Sequence, residues 1–343
     1  MASYKKKLVK LSFTGALHIG AGKNDNYDHS EEIIHSDTIK SALYATYRQV
    51  YPELSQKDDG EPFFASFRVS SAFPYFGNEL FFPKPLAGFI PTFSDIPAEN
   101  KSEIAKKSKK IQYVGFDLFN NWVNGIQPNV QQNHLDSSGK FLFSQPHEKN
   151  VKVLTRNVQQ RVYIPPQGSD AMNTQPYFIE RLFFGKEAGL YFLLDYPDSE
   201  MLSRIQVCLH VLGDIGFGTD KSVGNGQFEA TIVDFDILTP DQPTHQLALG
   251  LYCPAKETLS QSILSDAAFS TKKRGGFIVS AQEEQFRHFR KKSVYMFTEG
   301  SLFPAIMTIK GKLVDLKPET VERLHPVWRD GNCLFIPVKT ETI

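Results

Sequence analysis

The chain has 343 residues, of which 41% are hydrophobic, including 28 Phe and 13 Tyr but only two Trp. This composition predicts an ordered globular protein with enough chain for two domains. The 38 basic and 38 acidic residues cancel, which, taken alone, argues against a nucleic-acid-binding protein.

Targeting and metal-binding signals are absent from the sequence. No apolar run has the length of a membrane span, and the start lacks the apolar run of a signal peptide, so we expect a soluble, cytoplasmic protein without a membrane partner. Cys208, Cys253 and Cys333 are far apart, so neither disulfides nor a zinc site is predicted. The acidic residues are scattered, and we expect no metal and no cofactor.

The first predicted elements are a strand, a loop and a helix. Leu8–Leu17 alternates as a strand does, and a polar, glycine-containing loop follows from His18 to His35. A helix is predicted from about Asp37 to Val50, capped by Ser36, because its apolar residues recur with helical spacing.

Large insertions follow. The segment Phe63–Phe93 is rich in Phe and Pro and is too proline-rich for a central strand. It is predicted to be either an irregular segment packed by its aromatic rings or a partner-docking surface, with most of the rings in the core. Lys101–Lys110 and Gln127–Ser138 have the composition of mobile loops. Val151–Ile179 contains strand-like runs around a polar tip, which predicts a protruding hairpin.

The most informative segment is the glycine-rich loop Leu212–Phe228, LGDIGFGTDKSVGNGQF. An amphipathic helix, Asp198–Leu212, precedes it with Asp198 or Ser199 as its cap, and an alternating strand, Gln227–Ile237, follows. Phosphate-binding loops of ATPases and dinucleotide-binding enzymes require the reverse order, strand before helix, so both classes are disfavoured. Dense glycine indicates close approach to a polar, phosphate-bearing ligand, or else a helix-to-strand connection with a left-handed cap at Gly213.

The two motifs together predict the ends of a β-α-β-β-α-β, ferredoxin-like unit. A boundary is indicated near Thr239–Thr244, and beyond it strand-like runs with little helical signal predict a second, smaller α+β domain.

Basic residues cluster although the net charge is zero. The clusters are Lys5–Lys10, Lys101–Lys110, Lys149–Arg161 and Lys272–Lys292. They favour one polyanion-binding face, with the other faces left for protein partners. Each cluster alone is equally consistent with solvated surface, above all Lys101–Lys110.

Several strings in order along the chain resemble one family. They are LHIGAG, HSDTIKSALY, SSAFPYFGNELFFPKP, LTRNVQQRVYIPP, GFGTDKSVGNGQF, KKRGGF, EGSLF and HPVWRDGNCLFIPVK. The chain thereby resembles the fourth Csm subunit of type III-A CRISPR effector complexes, within the RAMP superfamily, whose hallmark is a glycine-rich loop near the end of a ferredoxin-like domain.

The resemblance implies an α+β protein of two ferredoxin-like (RRM-type) domains, residues 1–240 and 241–343, with a β-hairpin thumb at about 151–180. It implies a non-catalytic RNA-binding subunit that holds the repeat-derived 5′ handle of the guide RNA. The implied protein partners are the large polymerase/cyclase-like subunit and a backbone RAMP subunit.

Candidate RNA-binding residues combine this resemblance with residue chemistry, because single-stranded RNA requires cations and amides at phosphates and flat side chains at bases. Long basic side chains at a hairpin tip or in a glycine loop are seldom needed for packing. Arg156 and Lys221 are therefore the strongest candidates for RNA contact. The full set is His18, Gly20, Gly22, Lys23, Ser36, Lys40, Arg156, Arg161, Tyr163, Phe217, Gly218, Lys221, Ser222, Gly224, Asn225, Gly226, Lys272, Lys273 and Arg274.

Two alternatives stay open. A metal-independent RAMP endoribonuclease that processes guide precursors would need a histidine as general base and a lysine for the developing charge, roles that His18, His29, His35 and Lys23 could fill. A purely architectural subunit that barely contacts RNA is favoured by the neutral charge and by the Phe/Pro-rich insertion.

Overall fold

The computed structural model describes residues 2–20, 27–55, 59–97, 100–147, 151–162, 176–258, 261–278, 286, 289–305, 309–319 and 324–340. The strands in these ranges are β1 (Ala2–Phe13), β2 (Arg68–Val69), β3 (Phe73–Phe76), β4 (Glu79–Pro83), β5 (Thr92–Phe93), β6 (Tyr113–Gly115), β7 (Asn129–Val130), β8 (Phe141–Leu142), β9 (Leu154–Val162), β10 (Pro176–Phe184), β11 (Ala188–Asp195), β12 (Phe228–Thr239), β13 (His245–Ala248), β14 (Thr271–Arg274), β15 (Val294–Phe297), β16 (Leu302–Pro304), β17 (Leu313–Asp315), β18 (Trp328–Asp330) and β19 (Phe335–Val338). The helices are α1 (Ser36–Val50), α2 (Pro52–Ser55), α3 (Glu61–Ser66), α4 (Lys101–Lys110), α5 (Phe116–Val123), α6 (Ser199–Ile215) and α7 (Gln261–Ser265).

A sheet of eight strands organises the molecule, in the order β12-β1-β11-β3-β4-β6-β8, with β2 also paired to β11. Strand β1 lies between β12 and β11 and is antiparallel to both. Along the chain the sheet's core forms as β1-α1-β3-β11-α6-β12, which is the β-α-β-β-α-β connection whose two ends the sequence predicts. The predicted α+β class is confirmed.

Helices α1 and α6 cover one face of this sheet. Side chains alternate across a strand, so Val9 and Leu11 of β1 point to this side while Leu8 points to the other. The helical layer contributes the buried side chains Ile39, Leu43, Ile205, Leu209 and Leu212. Helix α6 starts where the sequence predicts, because the Asp198 carboxylate accepts a hydrogen bond from the Met201 amide at 2.8 Å.

The C-terminal part of the chain covers the opposite face. Its three-stranded sheet, in the order β16-β13-β19, shares one core with β1 and β11. The shared buried residues include Leu8, Leu193, Leu247, Leu302 and Ile336. The other C-terminal strands form the pairs β14-β15 and β17-β18. A second ferredoxin-like domain therefore stays a prediction.

The prediction that Phe63–Phe93 forms no central strand is wrong, because β3 and β4 are interior strands of the large sheet. The prediction that most of its aromatic rings lie in the core is confirmed by their burial. Pro74 lies in β3, in register with Leu190 of β11. Strand β4 pairs with β3 only at Tyr75 and Phe76, so the side of Pro74 that faces away from β11 has no neighbouring strand and needs no amide donor.

The prediction of a mobile loop at Lys101–Lys110 is also wrong, since these residues form helix α4. Lysine is a good helix former, and lysines in the last turn suit the helix dipole. Ile104 packs against the core, and Lys107 lies 3.7 Å from Glu103 one turn earlier. Within Gln127–Ser138, β7 pairs in parallel with β5, so this segment is not simply a loop.

The predicted hairpin has two antiparallel arms, β9 and β10. Leu154 pairs with Phe184 at one end, and Val162 pairs with Pro176 at the other. Its polar tip, residues 163–175, lies outside the described residues. Within the described chain, no helix is long and apolar enough to cross a membrane.

Candidate nucleic-acid interface

The glycine-rich loop joins α6 to β12 through backbone conformations that glycine adopts with the least strain. Positive φ angles occur at Gly216, Gly218, Gly224 and Gly226, and also at Asp220, where φ is 60°. Only glycine adopts this region without a steric penalty. The predicted left-handed cap at Gly213 is wrong, because the helix continues to Ile215.

The loop packs directly on the residues that follow β1. The Thr219 amide donates to the His18 carbonyl at 3.1 Å, and the Gly226 amide donates to the Ala16 carbonyl at 2.7 Å. A Cβ on Gly218 would lie 2.1 Å from the His18 oxygen, so glycine is required for this approach. The glycine loop and the exit of β1 therefore form one continuous surface.

The hairpin is attached to this surface through Asp220. Arg161 of β9 binds the Asp220 carboxylate at 2.6 Å, and Arg181 of β10 lies 3.5 Å from the same oxygen. Two guanidinium groups thus meet at one carboxylate between the hairpin and the glycine loop, which leaves a net positive charge there.

A pocket of about 440 Å³ opens between the hairpin and the glycine loop, lined by Tyr27, Tyr177, Ile179, Thr219 and Asp220. The rings of Tyr27 and Tyr177 are 5.9 Å apart, and Tyr27 is 45% exposed. The Thr219 hydroxyl is buried and has no hydrogen-bond partner in the described structure. Flat aromatic faces beside an unpaired polar group are what an unstacked nucleobase requires.

His18 lies behind this pocket, with its ring centroid 6.0 Å from that of Tyr27. Its Nδ1 is 2.6 Å from the Glu180 carbonyl, which can only accept, so Nδ1 donates this hydrogen bond. Nε2 is buried and unpartnered among the described residues. The side chain is 1% exposed and does not line the pocket, so the prediction that His18 contacts RNA directly is wrong.

Several candidates project into solvent or form the loop's backbone. Lys221, Ser222 and Gly224 are exposed on the outer turn of the loop, and Gly20 and Lys273 are also exposed. Asn225 is buried, and its side-chain amide nitrogen is unpartnered in the described structure. Gly22, Lys23 and Tyr163 lie outside the described residues.

The prediction that Lys40 contacts RNA is wrong, because its side chain is 0% exposed. Its Nζ donates to the carbonyls of Phe64 and Phe67 and lies 2.6 Å from the Asp330 carboxylate. Burial lowers the pKa of Lys40, and Asp330 only partly offsets that effect. Lys40 is thus a core residue that joins α1 to β18.

The predictions for Ser36 and Phe217 are wrong for the same reason. Ser36 is the first residue of α1, with His35 as N-cap, and its buried hydroxyl accepts from the Leu251 amide at 2.9 Å. Phe217 is 1% exposed and stacks on Phe228, with ring centroids 5.2 Å apart, so it presents no face to a base.

Arg156 is not at the hairpin tip. It lies near the start of β9, 29% exposed, with its guanidinium 2.5 Å from Glu180 and 2.7 Å from Glu32. Burial alone would raise the pKa of Glu32, but Arg156 and Lys140 lower it. Glu32 and Glu180 therefore neutralise the positive charge of Arg156, which the sequence analysis expects to bind RNA.

The predicted basic track from the C-terminal part is mostly paired as well. Lys272 binds the Glu31 carboxylate, and Arg274 binds both oxygens of Asp37 at 2.9 and 3.1 Å. These ion pairs fix β14 to the start of α1. Lys273 alone of this trio projects into solvent.

The sequence reasoning missed Tyr27, Tyr177, Arg181 and Asp220. An aromatic residue in a polar loop is a signal for a binding site, and Tyr27 could have been found in this way. The other three residues come together only through the packing of the hairpin against the glycine loop, which the local sequence does not show.

Comparisons with known proteins agree with this architecture. A family model described as the RAMP superfamily matches residues 10–229, and one described as the CRISPR Csm4 C-terminal domain matches residues 241–338. A curated protein named CRISPR system Cms protein Csm4 from Methanocaldococcus jannaschii is 23% identical over 382 residues, covering 97% of each chain. One of the same name from Thermococcus onnurineus is 23% identical over 248 residues, covering 71% of this chain and 78% of that protein.

Solved structures have the same fold. A chain from the Csm3-Csm4 subcomplex of the type III-A CRISPR-Cas interference complex aligns with a TM-score of 0.66 and 19% identity, covering 97% of this chain and 99% of that chain. A chain from the Csm1-Csm4 cassette in complex with cA4 aligns with a TM-score of 0.61 and 19% identity, covering 98% and 99%.

Proposed function

Since the chain belongs to the RAMP superfamily and, within it, to the Csm4 subunits of type III CRISPR complexes, we propose that it holds the 5′ handle of the guide RNA in such a complex. The observation that carries the proposal is the position of the glycine loop, which packs on the residues after β1 and is bound by the hairpin through Asp220. The pocket lined by Tyr27 and Tyr177 lies between the loop and the hairpin.

Phosphates bind along the outer turn of the glycine loop, where Lys221 and Ser222 are exposed. Arg161 and Arg181 add positive charge where the hairpin meets the loop. A base enters the pocket and stacks on Tyr27 or Tyr177, since RNA-binding proteins that read single strands combine cations with aromatic faces.

Two protein neighbours follow from the relatives. The similar solved chains come from Csm1-Csm4 and Csm3-Csm4 assemblies. We therefore assign this chain a bridging position between the large polymerase/cyclase-like subunit and a backbone RAMP subunit. The strand order β12-β1-β11-β3, with α1 and α6 on one face, supports a ferredoxin-like N-terminal domain for this role.

The subunit is proposed to be non-catalytic. A metal-independent nuclease needs a histidine that can reach the RNA backbone, but His18 and His35 are buried, and Glu299 lies 2.7 Å from His35. His29 is exposed and lies 3.4 Å from Glu180, so it is the remaining candidate of the three histidines that the sequence offers for this role. Repeat-containing RNA left intact for hours without metal supports the non-catalytic role, and cleavage abolished by His29→Ala contradicts it.

The test is to tag the full chain in its native host, purify it gently, and sequence the small RNA that accompanies it. We expect guide RNAs with one shared repeat-derived 5′ end, together with the large subunit and smaller RAMP subunits. Lys221→Glu should reduce the RNA recovered, whereas Lys256→Glu, an exposed lysine outside the loop, should not. Neighbouring subunits without RNA would instead favour the architectural role.

A further inference from the structure

The outer edge of β12 is long and unpaired. Strand β12 pairs with β1 over all twelve of its residues. Thr239 lies opposite Ala2 at one end, and Phe228 lies opposite Phe13 at the other. No strand of the described chain pairs with its other edge. Strands are typically five or six residues long, and open edges of this length attract further strands, so proteins normally cover or disrupt them.

The pairing pattern identifies which backbone groups face outward. The Gln227 carbonyl accepts a hydrogen bond from the Thr14 amide, which directly follows β1. The backbone N–H and C=O groups of odd-numbered residues in β12 therefore face β1, and those of even-numbered residues face outward. The two ends of the outer edge are covered. The Phe228 carbonyl lies against Gly213 of α6, and the Leu238 carbonyl accepts from the Asn124 side chain at 2.9 Å.

The groups between these ends are open. The outward backbone amides of Ala230 and Ile232 have no backbone partner in the described structure. Beside them, a groove of about 600 Å³ runs between α6 and β12, lined by Leu209, His210 and Asp214 on the helix side and by Glu229, Ala230 and Ile232 on the strand side. A strand added here would place alternate side chains in this groove.

The groove is acidic. Asp214 and Glu229 line it, and neither has an ion-pair partner among the described residues. The sequence between Lys221 and Lys256 contains no Lys or Arg. This charge disfavours RNA and disfavours a second copy of the chain, whose β12 would bring the same acids. It favours a basic protein segment.

We propose that the outer edge of β12 and the α6 groove receive an extended, basic segment of a neighbouring protein subunit by β-strand addition. The proposal rests on the proposed function in one respect, which is that the neighbour is a subunit of the same complex. Backbone hydrogen bonds to Ala230 and Ile232 give the affinity. Asp214 selects Lys or Arg at the groove, and Glu229, whose side chain lies on the opposite face of β12 from Ala230 and Ile232, selects a basic residue on that face of the added strand.

The test compares Ile232→Pro with Ile232→Ala in the tagged full chain. Proline removes the outward amide without removing a bond to β1, and alanine removes the same side chain while keeping the amide. We expect Ile232→Pro to lose one of the two neighbouring subunits and to keep the other, while Ile232→Ala keeps both. A thermal melt of each variant alone checks that the sheet is intact.

Hydrogen exchange provides an independent measurement. In the assembled complex, the Ala230 and Ile232 amides should exchange about tenfold more slowly, or slower still, than in the isolated chain. Asp214→Lys with Glu229→Lys should weaken recovery of the same subunit that Ile232→Pro loses.

Unchanged exchange at both amides, or full assembly of Ile232→Pro, overturns strand addition. Dimerisation of the isolated chain through β12 overturns the choice of occupant. Failure of the wild-type chain to recover any neighbouring subunit refutes the proposed function itself, so the two failures are distinguishable.

Discussion

Arg161 and Asp220 form a 2.6 Å ion pair that ties the hairpin to the glycine loop. Asp220 is the one described non-glycine residue with a positive φ. The same carboxylate lies 3.5 Å from Arg181, so a single side chain in an unfavourable backbone conformation positions both arms of the hairpin. This arrangement defines the pocket and limits the charge available to RNA.

Asp220→Asn should steepen the salt dependence of RNA binding. Asparagine tolerates the left-handed conformation, so the loop is kept while the carboxylate is removed. The log–log salt slope should steepen by about 0.7 for each arginine that gains a phosphate contact. Titrations of the full chain with handle RNA at several salt concentrations measure this slope, with Asp214→Asn as the control acid. Equal slopes for wild type and Asp220→Asn would show that these arginines do not face RNA.

Gly218→Ala should destabilise the protein by about 2 kcal/mol, because the new Cβ would approach the His18 carbonyl in a backbone region that side chains rarely adopt. Gly20→Ala is the matched control in the same region, since no atom lies within 4 Å of its Cβ position. That change should alter stability by no more than about 0.5 kcal/mol. Urea denaturation measures both, and similar losses for the two variants would contradict the packing described.

Lys40→Met should destabilise the fold by about 3–5 kcal/mol, because it leaves the buried Asp330 carboxylate without its cation. Lys273→Met, at an exposed lysine, should change stability by about 0.5 kcal/mol or less. Denaturant unfolding distinguishes the two. A Lys40→Met protein of wild-type stability with reduced RNA affinity would restore Lys40 to the interface.

Stability should fall as pH rises above neutrality because of His35. Burial alone would lower the pKa of His35, but Glu299 and Glu31 raise it. A raised pKa stabilises the folded protein fully below the ordinary histidine value of about 6.5, and this contribution disappears as pH rises through the higher folded pKa.

The variant for this test carries His35→Gln together with Glu299→Gln, so that no unpaired buried carboxylate remains. Its unfolding free energy should vary less with pH above about 6.5 than that of wild type. The exposed His210→Gln serves as control. Parallel pH profiles for the double variant and wild type would exclude His35 as the titrating group.

Local patterns predicted the elements that depend on neighbours in sequence. The helix after Asp198 follows from its apolar periodicity and its cap, and the strand after the glycine loop follows from its alternation. The family resemblance, confirmed by the comparisons, supplied the rest of the assignment.

Distant partners could not be predicted in the same way. Lys40 and Asp330 are 290 positions apart by their residue numbers, and Arg274 is 237 positions from Asp37. Nothing local distinguishes such a buried cation from one that faces RNA. The sheet accepts Pro74 because β4 begins to pair with β3 only after it, at Tyr75, and this is a property of the sheet rather than of the local sequence.

The most direct test of the account is photo-crosslinking from the pocket in the assembled complex. A photoreactive phenylalanine analogue replaces Tyr27, and in a separate sample it replaces Tyr295, an exposed control that is 65% accessible. We expect the Tyr27 position to crosslink to the guide RNA within its repeat-derived 5′ segment, and the Tyr295 position to give no such product. Crosslinks from Tyr27 that map only to the rest of the guide, or to protein alone, would contradict handle binding at this pocket.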